Sequence, residues 1–227
     1  MAIYLWATSF KDGSSMKLHR DLGITQKSAY FLAQRLPQAC SGMPFSMEES
    51  AEAGETYLGG KRKNMSLDKR QQMTGTGTVG KTAVAGMKDR PTKQCAARVL
   101  PTTDADSLQR FVRDPVLPGV TLYADESHSY KGMPEYHRAS ANHSALEYVR
   151  QMAHTNGIES FWSPLKHAYI ATFHHASPQH LHRYVNEFVT RFNMHVKDTI
   201  SIMANMVLRM VGKRLTCHAL VHPVGIS

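Results

Sequence analysis

Residues 96–125 read AARVLPTTDADSLQRFVRDPVLPGVTLYAD, and the order of elements within them decides the fold class. Ala96–Leu100 is a short apolar run bounded by turn residues, which predicts a strand. Asp104 is placed to cap a helix whose Leu108, Phe111 and Val112 share one face and which Pro115 ends. Val120–Ala124 is a second short apolar strand, stopping at an acid, Asp125. Strands, one helix and then a strand predict an α/β fold with a mixed sheet.

Working outward, Ala51–Leu58 predicts an earlier strand closed by Gly59 and Gly60, and Thr82–Met87 another. Between them lies a basic loop with Lys61, Arg62, Lys63, Lys69 and Arg70. Downstream, residues 154–166, HTNGIESFWSPLK, hold one acid at helical spacing from polar neighbours. Residues three, four and seven apart share a helix face, so Asn156, Glu159, Trp162 or Ser163, and Lys166 can point the same way. That would set a carboxylate for a divalent metal beside an ammonium for a phosphate. The same pattern also fits a plain amphipathic helix with Phe161 and Leu165 in the core.

Ser177 and Pro178 form a helix start, followed by an apolar stripe of Leu181, Tyr184, Val185, Phe188, Val189 and Phe192. A last helix from about Asp198 is expected to bury Ile200, Met203, Val207 and Met210. At the other end, residues 1–10 read as a helix, Ser14 and Ser15 offer a cap for a second ending at Leu22-Gly23, and Thr25 caps a third. Ala29, Leu32, Ala33 and Leu36 take the core side of that third helix, leaving Gln26, Lys27, Tyr30, Gln34 and Arg35 outward. A glycine-containing turn before a polar, basic helix fits a helix-turn-helix over residues 1–40, with Gln26, Lys27 and Tyr30 meeting DNA. A three-helix packing module fits equally well. Pro37–Pro44 reads as a linker.

Lys and Arg outnumber Asp and Glu by 27 to 18, a formal charge of +9, which favours a polyanionic partner such as nucleic acid. Cys40, Cys95 and Cys217 are scattered and odd in number, which suggests reduced thiols in a cytoplasmic setting and no cysteine-based zinc site. The apolar opening MAIYLWATSF is 10 residues long, short of the roughly 20 that span a bilayer, so no membrane role is expected. His174, His175, His180 and His182 crowd one region without a regular metal-binding spacing, which favours surface or DNA-facing roles.

Residues 75–82, GTGTVGKT, match the phosphate-loop pattern, with Lys81 and Thr82 in the nucleotide-contacting places. That motif works between a buried strand and a helix, whose first N–H groups and dipole meet the phosphates. Here the preceding LDKRQQM is polar and the following TAVAGM is strand-like, so the match is set aside.

A strand-end acid, Asp125, and a helical acid, Glu159, are two of the carboxylates that two-metal phosphoryl transfer needs. The blocks AEAGETYLGGKRKN, TGTVGKTAVAGMKDR, LYADESHSYKGM and the long stretch from His154 to Asn193 resemble bacterial insertion-sequence transposases of the ISXO-like kind. The resemblance implies a ribonuclease-H-like Asp-Asp-Glu core over residues 46–212, ending in C-terminal helices. It implies an enzyme that binds terminal inverted repeats as a homo-oligomer on DNA, cuts with two Mg²⁺ ions and joins the ends to target DNA, in the nucleoid. It makes Asp125 the second catalytic acid and Glu159 the third and metal-binding with it. Asn156 then lies close by, with Lys166 near the DNA, and Lys61, Arg62 and Lys63 extend the DNA contact.

The chain departs from the family in three places. The first catalytic aspartate normally precedes Glu-Thr-Tyr, and Gly54 stands there. Glu55 points to the opposite face of a strand, and Glu52, two residues back, is about 6.6 Å away. Pro164 falls where the family has an apolar residue; within a helix it removes a hydrogen bond at a cost of about 3 kcal/mol, unless the helix restarts with Ser163 as its cap. The family's zinc ribbon before the helix-turn-helix is not in the sequence. Together these suggest a truncated or decaying copy, impaired in strand transfer, with a non-catalytic DNA-binding remnant or repressor as the alternative.

Overall fold

Strands β1 (Ser50–Leu58), β2 (Thr82–Asp89), β3 (Cys95–Leu100), β4 (Thr121–Asp125) and β5 (His137–Ala141) form one sheet in the order β3-β2-β1-β4-β5. β2 pairs antiparallel with both β1 and β3, whereas β4 pairs parallel with both β1 and β5. This is the ribonuclease-H-like mixed sheet that the resemblance implies. The computed structural model describes residues 1–8, 14–40, 46–60, 66–72, 78–125, 130, 132–141, 155–171, 178–216 and 218–219. The chain divides into two compact units, Phe45–Lys166 and Met1–Pro44 together with His167–Ser227.

Period-two alternation gives the sheet two different faces. Ala51, Ala53, Ala85, Met87, Leu122 and Ala124 share a buried cluster with Leu108, Phe111 and Val112 of helix α5 (Ala105–Arg113), the three residues that helical spacing put on one face. Asp104 caps α5 by accepting from the Ser107 amide at 2.7 Å. The opposite face carries Glu52, Gly54, Gly86 and Lys88, with Gly54 opposite Gly86 and Glu52 opposite Lys88 in the antiparallel register. Helix α6 (Asn156–Ala171) begins over these residues.

The helical unit contains α1 (Ala2–Thr8), α2 (Ser15–Leu22), α3 (Gln26–Ala39), α7 (Leu181–Met194) and α8 (Thr199–Met210). Ser14 and Thr25 cap α2 and α3 through their side chains, and Gly23 closes α2 at φ +62°, the left-handed conformation that glycine adopts without strain. Trp6 is buried, donates to Glu187 Oε1 at 2.7 Å and lies 3.9 Å beneath the Arg191 guanidinium, which bonds the same carboxylate at 2.9 Å. This pairing satisfies a buried acid from two sides.

Several expectations are corrected by the structure. Pro37 lies inside α3 and opens no linker, because Leu36, Pro37 and Ala39 are all buried and their packing outweighs the lost N–H. Likewise α6 runs unbroken through Pro164, with no second start at Ser163. On α8 the fully buried methionine is Met206, whereas Ile200 is 79% and Val207 51% exposed. Pro178 opens a 3₁₀ turn, Pro178–His180, three residues before α7 begins. The basic loop contains a helix, α4 (Leu67–Gln72), and β5 joins the sheet through a sequence, HRASA, with little apolar character.

The phosphate-loop match is set aside on structural grounds as well. Thr78, Val79 and Gly80 form a turn, with Gly80 at φ +75°, and Thr82 enters β2. There is no helix start behind Lys81 to hold phosphates.

Candidate catalytic site

The sequence-identified acids belong to neighbouring elements of the sheet unit. β1 and β4 are in parallel register with Glu52 beside Tyr123 and Ala53 beside Ala124. One step further sets Gly54 abreast of Asp125, the residue that closes β4. A Cβ added at Gly54 would lie 3.5 Å from Ile158 Cγ2 and 3.7 Å from Trp162 Nε1. Position 54 therefore faces the first turns of α6, one residue from Glu159.

α6 presents its apolar stripe, Ile158, Phe161, Trp162 and Leu165, to the interior, all four being buried. Asn156, Glu159, Ser163 and Lys166 fall on its exposed side. Because the helix is continuous, Glu159 and Lys166 keep the seven-residue spacing that aligns them. Glu159 is exposed and accepts a long contact from the buried Thr155 hydroxyl at 3.4 Å. The indole of Trp162 covers Gly86 so closely that a Cβ there would stand 2.3 Å from its Cη2.

Glu52 is the residue whose role sequence reasoning missed. It is 2% exposed, and its carboxylate accepts from the Ile158 backbone N–H at 2.8 Å and from Arg90 Nε at 2.8 Å. Both oxygens are committed, so Glu52 is not free to stand in for an acid at position 54. Its signal in the sequence is slight: an acid at an inward position of a strand, where burial demands partners.

Position 54 carries no donor. Among the described residues no group of three His, Cys, Asp or Glu side chains is arranged to hold a metal ion. His180 and His182 have their pKa values lowered, first by burial and then by the nearby Arg183 charge, which favours neutral imidazoles. His174 and His175 lie outside the described residues, as do Lys61, Arg62 and Lys63. Gln26, Lys27 and Tyr30 are exposed at the start of α3.

Residues 47–193 match the family model of the ISXO2-like transposase domain. The chain belongs to that family. It is an insertion-sequence transposase of the Asp-Asp-Glu superfamily by membership, and its family acts on DNA and generally uses a divalent metal. No curated protein matches this transposase. Among the described residues no helix is long and apolar enough to cross a membrane.

Proposed function

We propose that this transposase recognises the terminal inverted repeats of its element and is impaired in cutting and joining them. The observation that carries the reading is Gly54, abreast of Asp125 and beside the turn of α6 that bears Glu159, where the side chain supplies no oxygen. In an intact site three carboxylates hold two Mg²⁺ ions, which activate the attacking oxygen and stabilise the leaving one. Here Asp125 and Glu159 are the remaining metal ligands, Asn156 lies a turn before Glu159, and Lys166 faces the DNA backbone from the same side of α6.

Residues 1–40 act as a helix-turn-helix in which α3 meets DNA through Gln26, Lys27 and Tyr30, and residues 46–212 form the catalytic core. The formal charge of +9 supports a polyanionic partner, and Lys61, Arg62 and Lys63 add to its grip. The protein pairs two element ends as a homo-oligomer. The same glycine favours a second reading, a non-catalytic end-binding protein that represses active copies.

The test compares the unmodified protein with Gly54→Asp in Mg²⁺-dependent cleavage of DNA carrying the element's ends. Cleavage by the substituted protein alone supports an impaired transposase. Equal binding with cleavage by neither supports the repressor. Strong cleavage by the unmodified protein refutes the impairment.

A further inference from the structure

We propose that Glu52 is a positioning residue: it caps α6 from a neighbouring strand and thereby sets Glu159 against the ends of β1 and β4. The inference rests on the reading of Glu159 as a site residue. The first N–H groups of a helix have no intrahelical partner, and the amide of Ile158, third in α6, is one of them. It is satisfied by Glu52, 106 residues away in sequence. A carboxylate at that place also meets the positive end of the helix dipole.

The surrounding residues are built for this contact. A Cβ on Gly157 would stand 2.6 Å from Glu52 Oε2, so glycine is what lets the carboxylate reach the helix. Lys88 Nζ donates to the Gly157 carbonyl and to Ser160 Oγ, both at 3.2 Å, holding the same turn from β2. Arg90 bonds Glu52 and stacks 3.6 Å over the Tyr123 ring of β4. Glu52 and Tyr123 are register partners two residues before Gly54 and Asp125, and Gly157 is two residues before Glu159. Hydrogen bonds from Glu52 and Lys88 to α6, and the cation–π contact of Arg90 with Tyr123, thus tie β1, β2, β4 and α6 together one step behind the three site positions.

Two substitutions separate capping from simple charge pairing with Arg90. Glu52→Gln keeps the length that reaches the Ile158 amide and removes the charge. Glu52→Asp keeps the charge and is one methylene too short to reach. Capping predicts that Glu52→Asp speeds hydrogen exchange of the Ile158 amide by about tenfold, the loss of one charge-assisted hydrogen bond, and that Glu52→Gln changes it by less than about threefold. In a Gly54→Asp background, Mn²⁺ affinity follows the same order, falling about tenfold for Glu52→Asp.

Unchanged exchange in Glu52→Asp, or a larger effect of Gln than of Asp, overturns the proposal. So does faster exchange with unaltered Mn²⁺ affinity, since α6 would then be anchored without placing Glu159. If Gly54→Asp itself binds no Mn²⁺, the metal reading of the site fails, and the cap is judged on exchange alone.

Discussion

Placing an acid at position 54 should make the stability of this transposase depend on divalent metal. The added Cβ of Gly54→Asp enters ordinary contact at 3.5 and 3.7 Å, so the substitution is sterically tolerated. Replacing glycine in a strand interior contributes about 0.5–1 kcal/mol through reduced backbone freedom. Against this, adjacent strands lie about 4.8 Å apart. Two carboxylates at that spacing repel by about 3 kcal/mol at an effective dielectric constant of 20. Without metal the variant is therefore about 2 kcal/mol less stable, which lowers Tm by roughly 4–8 °C for a protein of this size. A metal at a hundred times its Kd contributes about 2.7 kcal/mol, raising Tm by roughly 5–11 °C. Differential scanning fluorimetry with and without Mn²⁺ measures both, and Gly54→Asn, of the same shape without the charge, should show neither. An identical Mn²⁺ response in the unmodified protein, or none in Gly54→Asp, refutes the reasoning.

Gly86→Ala should destabilise by about 1–3 kcal/mol, because its Cβ would overlap the Trp162 ring; a urea midpoint followed by tryptophan fluorescence tests this, and an unchanged midpoint would show the ring free to move. Lys27→Ala should weaken DNA binding across sequences and reduce the salt slope by about one, and an unaltered slope would remove α3 from the DNA interface. Burial pushes the Cys40 and Cys95 thiols up to about 12, the nearby carboxylates Glu187 and Glu52 adding to it respectively, so in a Cys217→Ser background native protein at pH 8 should resist thiol reagents that label the unfolded chain. The folded state holds these protons longer, so their contribution is complete below the unfolded pKa near 9 and declines as pH rises towards 12; alkaline denaturation curves that match those of a Cys40→Ala, Cys95→Ala variant would contradict this.

What was legible in the sequence was local. Asp104, Thr25, Ser14 and Asp198 act as the caps that their positions suggest, since each bonds an amide three residues on. The strands β1 to β4 follow from apolar runs closed by turn residues, and helical spacing selects Leu108, Phe111 and Val112 for the core. What was not legible depends on partners distant in the chain. β5 has no apolar pattern of its own and exists because β4 offers it an edge. Pro37 and Pro164 carry a local signal to stop a helix, yet packing of Leu36, Ala39, Phe161 and Leu165 overrides it. On α8 the choice between Met206 and its neighbours is made by what packs there, because apolar residues surround the helix on several sides.

The candidate site divides in the same way. Sequence by itself determined that Asp125 ends a strand and that position 54 has no carboxylate, because these depend on residue type and local period; that Glu159 and Lys166 share a face was settled by the continuity of α6 through Pro164. Only the tertiary structure decided that Gly54 stands abreast of Asp125, that Trp162 closes over Gly86, and that Glu52 is spent on the first turn of α6. Strand register and helix docking bring those groups together across about 70 to more than 100 residues of chain, and no local pattern carries the distance.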